Sequence, residues 1–293
     1  MSARSLLFVP GDSDRKLAKS DSVPADILIL DLEDSVSPEE KPAARSRVRD
    51  FLAARSARSG SELWVRINPI QGPDALADLI AVVDVRPDGI VQPKVRSADD
   101  VLKLAACLDA LEAEGGVEPQ RIGILPVAME APEAIFAMGG YGRCGPRLYG
   151  LTWGAEDLSA AIGATGNKRS DGSWTQPFQL ARSLCLFAAS AAGVAAIDTL
   201  HSDIRDAQGL RASCAEARRD GFTGKLAIHP DQVAVINECF LPSADEIAQA
   251  TRVIALFRDN PGVATLALDG QMLDIPHLRQ AEKTLARANV QRG

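Results

Sequence analysis

Short, nearly continuous apolar runs that close on polar residues alternate along the chain with longer stretches of helical periodicity. Eight such runs stand at residues 5–10 (SLLFVP), 27–33 (ILILDLE), 62–67 (ELWVRI), 89–93 (GIVQP), 122–130 (IGILPVAME), 148–154 (LYGLTWG), 194–199 (VAAIDT) and 225–230 (KLAIHP). Runs that stay apolar without alternation belong to parallel strands buried on both faces. Between them the spacing predicts helices at 39–55, 98–114, 177–192 and 209–220, several opened by Ser or Asp caps. Eight strands interleaved with helices fit a closed barrel better than an open doubly wound sheet, and no GxGxxG follows the first strand. The pattern therefore predicts an α/β protein, a (β/α)8 TIM barrel over residues 1–235. Residues 236–293 are expected to form a C-terminal helical lid extension: a helix at 245–258, a Gly- and Asn-bearing turn, the segment 264–274 and a last helix from 276. Such an appendage packs over a barrel mouth or over a neighbouring subunit.

Composition narrows the function. With 293 residues, 46% hydrophobic and 24% charged, the chain has the make-up of a globular protein with a full core. Lys and Arg number 32 against 39 Asp and Glu, a net charge of −7, and no basic block is present, so nucleic acid is not an expected partner. The longest wholly apolar stretches, 186–189 and 191–197, fall far below the roughly 18 residues that span a bilayer. No membrane partner is expected, and with no signal-like apolar core at the start a cytoplasmic location is expected. Five cysteines (107, 144, 185, 214, 239) form no CxxC pair and no Cys/His zinc spacing, which predicts reduced, mostly buried thiols.

In a barrel of this kind the polar residues at the C-terminal strand ends line the active-site mouth. Strand two ends in Asp31-Leu32-Glu33-Asp34, strand three carries Arg66 and Asn68, Lys94 follows strand four, Glu130 closes strand five, and Glu156 and Asp157 follow strand six. Glu130 and Asp157, on adjacent strands, either converge on one hard cation such as Mg2+ or are separate solvated carboxylates. No His cluster competes for a softer metal. Arg66 lies inside an apolar strand and needs an anion there, either a carboxylate of strand two or a substrate carboxylate. Arg15, Lys16 and Lys19 either hold phosphates at the mouth or form an exposed helix face. His201 and His229, near the ends of strands seven and eight, lack a Ser or Cys partner and are expected to be hydrogen-bonded structural residues.

These strand ends resemble, in order and spacing, the citrate lyase β-subunit-like family of CoA-ester lyases, part of the HpcH/HpaI aldolase/citrate lyase superfamily. The resemblance runs almost end to end: LLFVPGDSDRKLAK at 6–19, ILILDLEDSVSPEEKPAAR at 27–45, WVRIN at 64–68, QPKV at 92–95, LPVAMEAPEAI at 125–135, GLTWGAEDLSAAIG at 150–163, GFTGKLAIHPDQVAVIN at 221–237 and GQMLDIP at 270–276. It implies that Glu130 and Asp157 ligate Mg2+, with Mn2+ as a substitute, while Glu33 and Asp34 stand near the metal-bound waters. By the same resemblance Arg66 and Glu130 contact the oxo-acid portion, Lys94 supports the anionic site, and Arg15, Lys16, Lys19 and the His229-Pro230 turn bind CoA. In malyl-CoA and citramalyl-CoA lyases an Asp in a motif like GQMLDIP is supplied across a trimer interface; here that residue is Asp274. The sequence departs from the family at Gln92, where an aliphatic residue is common, and at Ala131, where a small hydroxyl residue is common, which predicts an altered metal surround and pocket shape.

The function implied is Mg2+-dependent, reversible cleavage of a β-hydroxyacyl-CoA to acetyl-CoA and a 2-oxo acid, with Arg66 and Asp274 as catalytic residues and a homotrimer or dimer of trimers as the assembly. The alternatives are a citryl thioester lyase, an aldolase acting on free 2-oxo acids and a non-catalytic barrel that binds CoA esters. Such aldolases use a His early in the chain, and here no His precedes 201.

Overall fold

The computed structural model describes residues 3–55 and 60–288. It contains a closed barrel of eight parallel strands in chain order, β1 Ser5–Pro10, β2 Ile27–Asp31, β3 Glu62–Arg66, β4 Gly89–Gln92, β5 Gly123–Met129, β6 Gly150–Trp153, β7 Ala195–Asp198 and β8 Gly224–Ala227. The ring closes where Ser5, Leu6 and Leu7 pair with Lys225, Leu226 and Ala227. Leu6, Ile27, Ile29, Trp64, Val91, Leu125, Val127, Ile197 and Leu226 fill the interior. Their neighbours Leu28, Leu30, Val65 and Ile90 are equally buried. Burial on both faces is why the strands read as unbroken apolar runs. Trp64 is the largest interior side chain, and Gly89, its ladder partner on β4, makes room for it: a Cβ at 89 would lie 2.3 Å from the indole ring. Tyr149 meets Trp64 edge-on at 5.0 Å and its hydroxyl accepts the Ala3 amide, which ties the start of the chain to this end of the barrel.

All the predicted strands but the first are longer than the ladders. β2 pairs with β3 only as far as Asp31 opposite Arg66, and β5 stops at Met129, so Glu33, Asp34, Lys94 and Glu130 stand on the loops just beyond. The long helices agree with their periodicity, as with α4 Ala98–Glu114, α6 Gln176–Ala192 and α7 Ala207–Asp220. The predicted 39–55 helix is a 3-10 turn, Pro38–Glu40, followed by α2 Lys41–Ala53. The short helices α1 Asp14–Ser20, α3 Ala75–Val82 and α5 Ala155–Ala161 span about two turns each, too few for periodicity to mark them. Of the five cysteines, Cys144, Cys185 and Cys214 are buried, and Cys107 and Cys239 are partly exposed. Among the described residues no helix is long and apolar enough to cross a membrane.

The chain divides into a barrel unit ending at Asn237 and a C-terminal unit beginning at Glu238, a boundary that falls within α8 Pro230–Cys239. The C-terminal unit contains α9 Ala244–Asp259, opened by a Ser243/Glu246 capping box, and α10 Ile275–Ala288. The segment 264–274, which has no helical period, is a hairpin of β9 Thr265–Leu268 and β10 Gln271–Asp274. Its turn is Asp269-Gly270, with φ of 50° and 78°, the left-handed pair that a two-residue hairpin requires. The extension is thus not wholly helical. Val253, Phe257, Leu273 and Ala281 form its core.

Candidate active site

The loops after β2 to β6 bring six of the sequence-predicted residues together. Asp31 organises the first of them: its carboxylate accepts the amides of Glu33 (3.0 Å) and Ser35 (3.2 Å), which turns the chain and sets Glu33 and Asp34 beyond the strand end. The same carboxylate grips Arg66 in a bidentate pair, 2.7 Å at both Nε and Nη2. Burial pushes the Asp31 carboxyl up, but the Arg66 contacts outweigh it and hold the group below the usual carboxylate range. The carboxylate of strand two is thus one anion that Arg66 meets. Arg66 also reaches Glu33 at 2.9 Å and lies 4.7 Å over the Phe8 ring, which fixes the guanidinium plane.

Lys94 ties the two halves of the cluster. Its Nζ lies 2.5 Å from Glu33, 3.3 Å from Asp34 and 3.6 Å from Asp157, and its backbone amide donates to Glu130 at 2.6 Å. To do both, Lys94 adopts a φ of 51°, a left-handed conformation that costs a non-glycine residue on the order of 1 kcal/mol or more. Burial works against the ammonium, yet Glu33, Asp34 and Asp157 raise its pKa and keep it charged. Glu130 is buried beside Gly154, where a Cβ would stand 3.0 Å from its Oε1; glycine leaves the carboxylate its room. Burial first, and then the charge of Asp157, push the Glu130 carboxyl well up from its ordinary value. Glu33 is also raised, chiefly by burial.

Five carboxylates, Asp31, Glu33, Asp34, Glu130 and Asp157, thus surround two cations, Arg66 and Lys94. Among the described residues no three His, Cys, Asp or Glu side chains form a ready-made metal cage. Glu130 and Asp157, an all-oxygen pair in mutual repulsion, suit a hard divalent cation that keeps its other positions for water and a chelating ligand.

A second layer, of which only Asn68 stands out in the sequence, holds these loops. Lys41 Nζ donates to the carbonyls of Leu32 (3.2 Å) and Glu33 (3.4 Å) and to the Asn68 side-chain oxygen. The Asn68 amide in turn donates to Leu32 O and to the buried Asp78, which Arg45 neutralises at 2.6 Å. Lys41 and Asp78 each sit in a helix, and nothing in local spacing marks them as belonging to strand ends.

The remaining candidates have surroundings of their own. Arg15, Lys16 and Lys19 are exposed on α1. The Ile228-His229 turn is held from α8, where the Gln232 side-chain oxygen accepts both amides (2.9 and 3.2 Å). His229 is partly exposed, and its Nδ1 accepts the Asp231 amide at 3.3 Å. His201 departs from expectation: it is buried, but neither ring nitrogen has a hydrogen-bond partner, and Asp206 stands 3.5 Å away. Burial, with Lys168 and Lys225 nearby, lowers its pKa and keeps it neutral. Gln92 turns to the helix layer and donates to Asp100 O at 2.9 Å, so its departure from the family affects the seating of α4 rather than the metal surround. In the C-terminal unit Asp274 ends β10, its Oδ1 2.6 Å from His277 Nδ1.

Known proteins resemble this chain along nearly its whole length. Residues 4–230 match the family described as HpcH/HpaI aldolase/citrate lyase, and residues 179–291 match the C–C bond lyases of the TIM-barrel fold. The chain is 34% identical to a (3S)-malyl-CoA thioesterase of Cereibacter sphaeroides, over 98% of its own length and 95% of that protein's. It is 33% identical to the mitochondrial citramalyl-CoA lyase of Rattus norvegicus, over 97% and 86%. Among solved structures it is similar to CitE of Mycobacterium tuberculosis in complex with magnesium, acetoacetate and coenzyme A, with a TM-score of 0.80, 32% identity and 98% of each chain covered.

Proposed function

Because the chain belongs to the HpcH/HpaI aldolase/citrate lyase family, we propose that it reversibly cleaves a β-hydroxyacyl-CoA, malyl-CoA or citramalyl-CoA, to acetyl-CoA and glyoxylate or pyruvate. The observation that carries this reading is the charge imbalance at the barrel mouth: the repelling pair Glu130 and Asp157 beside the fixed cations Arg66 and Lys94. Mg2+, bound in the CitE complex, would be held here by Glu130 and Asp157, with Mn2+ as a substitute. When bound, the ion supplies Lewis-acid polarisation of the oxygens of a 2-hydroxy or 2-oxo acid.

The side chains do the rest. Arg66, oriented by Asp31 and Glu33, has N–H donors left over for the substrate carboxylate or the enolate oxygen. Lys94 and Glu130 frame the same anionic site, and Glu33 and Asp34 hold Lys94 in place. Arg15, Lys16 and Lys19 meet the CoA phosphates, and the His229-Pro230 turn cradles another part of CoA. Residues 1–235 act as the catalytic domain, and residues 236–293 act as a lid that carries Asp274 to a neighbouring copy in a homotrimer or dimer of trimers. There Asp274 exchanges a proton with the acetyl methyl carbon. The reaction takes place in the cytoplasm.

The test is to incubate the purified protein with Mg2+ and malyl-CoA, citramalyl-CoA or citryl-CoA, following free 2-oxo acid and free CoA thiol with an EDTA control. Metal-dependent oxo-acid release without thiol release is expected from malyl-CoA or citramalyl-CoA. Thiol release alone would make the protein a thioesterase, and cleavage of citryl-CoA only would move the substrate. Silence with all three esters bound would leave a binding protein.

A further inference from the structure

We propose that His277 is the proton relay of Asp274: the two side chains share one proton, and the ring passes protons between the carboxyl and solvent. The inference rests on the reading of Asp274 as the residue that exchanges a proton with the acetyl methyl. Its basis is the contact between Oδ1 and Nδ1, which at 2.6 Å is too close for two bare acceptors. The Asp274 amide also points at Nδ1, at 3.2 Å. An imidazole nitrogen has one in-plane position, either a hydrogen or a lone pair. Either Nδ1 is bare and takes a hydrogen from Oδ1, its one lone pair shared with the amide, or Nδ1 carries the hydrogen and donates it to Oδ1. In both arrangements one proton lies between the carboxyl and the ring. In the single chain His277 keeps 49% of its side-chain surface exposed and Asp274 38%, so the pair has an open face.

In the cleavage direction the hydroxyl proton of the ester leaves to solvent, the C–C bond breaks as the carbonyl forms, and the bonding pair becomes the acetyl-CoA enolate. The Asp274 O–H bond then breaks as a C–H bond forms at the enolate carbon, leaving a carboxylate beside a neutral ring. A solvent proton that adds to Nδ1, the ring nitrogen left bare, restores the shared proton. One proton goes out and one comes in per turnover, with no redox change; condensation runs the steps in reverse. With Oδ1 committed to His277, Oδ2 is the oxygen left to face the carbon, and the proton reaches it by rotation of the protonated carboxyl.

A purely structural role for His277 predicts different behaviour. Asp274 directly precedes α10, and His277, in its first turn, accepts the Asp274 amide as the third residue of a capping box would. Glutamine keeps that half of the cap and can still donate to Oδ1, but it cannot take up and release a proton. His277→Gln is therefore expected to keep the wild-type thermal midpoint and KM while lowering kcat about 10–100-fold. Deuterium wash-in from D2O to the acetyl-CoA methyl, measured with Mg2+ and the oxo acid, should fall in parallel. His277→Ala should lose stability as well. In the metal-free protein, which has three histidines, the 15N signal of the His277 Nδ1 should shift on Asp274→Asn. Wild-type kcat and exchange in His277→Gln, with Asp274→Asn inactive, would overturn the relay alone. Full turnover in Asp274→Asn, or neither turnover nor exchange in the wild type, would overturn the underlying reading as well.

Discussion

Two clusters of charge stand beside the strand ends of this barrel, and they are opposites. On the β7–β8 side Asp198 accepts from Trp153 (2.8 Å), Arg182 (3.2 Å) and Lys225 (3.0 Å), and Arg182 goes on to Asp220 at 2.5 Å. Asp198 and Lys225 are completely buried. Burial pushes the Asp198 carboxyl up, but Lys225 and Arg182 outweigh it and hold it below the ordinary range. Asp198, Arg182 and Lys225 each have an opposite charge within 3.2 Å. On the β2–β6 side carboxylates outnumber cations, Lys94 is held in a strained conformation, and Glu130 is destabilised by its neighbour. Charge at a strand end is thus not in itself a sign of function. A satisfied network is scaffold, and an incomplete one marks the place where a ligand completes the electrostatics.

Substitutions should separate the two clusters. The largest effect is expected from Glu130→Gln: turnover should fall about a thousandfold or more and Mg2+ binding by calorimetry should vanish. The thermal midpoint should hold or rise, since a repulsion has been removed. A marked loss of stability would erase the distinction between the clusters. Asp198→Ala should do the reverse, lowering unfolding free energy in denaturant by about 3–5 kcal/mol because the buried Lys225 loses its carboxylate and Arg182 loses one of its two. Whatever fraction stays folded should retain most of the activity. Asp274→Asn should lower kcat about 10²–10³-fold with KM nearly unchanged, read from steady-state kinetics.

Acid offers a milder test. The folded-state pKa of Asp198 lies below its unfolded value near 3.8, so its contribution is complete above that pH and is lost as the pH falls through the lower, folded value. Wild-type melting temperatures should drop steeply below pH 4, and those of Asp198→Asn less so. The smallest effects belong to α1: replacing Arg15, Lys16 or Lys19 with Ala should raise KM for the CoA ester only a few-fold each, and less in high salt.

Much of the mouth is legible along the chain, because each residue closes an apolar run that could only be a strand. Glu130 after LPVAM and Asp157 after GLTWGAE are read this way. Residues that act from a helix are not. Lys41 supports the Glu33 loop from α2, and Gln232 holds the Ile228-His229 turn from α8, at positions where any polar residue would suit an exposed helix. Lys225 inside KLAIHP and Arg182 inside α6 look like ordinary surface charges until both are found on Asp198. The Asp269-Gly270 turn is a local signal that helical periodicity passes over.

The linear order of apolar runs and caps by itself determined the barrel, the number of its strands and the side of it that carries polar chemistry. Strand and helix periods are local, and a closed parallel sheet leaves its polar residues only at the ends. Tertiary structure alone decided which charges are partnered. Asp31 and Arg66, or Asp198 and Lys225, are brought together by ladder register across strands far apart in the chain, and burial then turns proximity into a shifted pKa, a closed ion pair or an open site. Proximity and burial are properties of three dimensions, and no spacing along the chain encodes them.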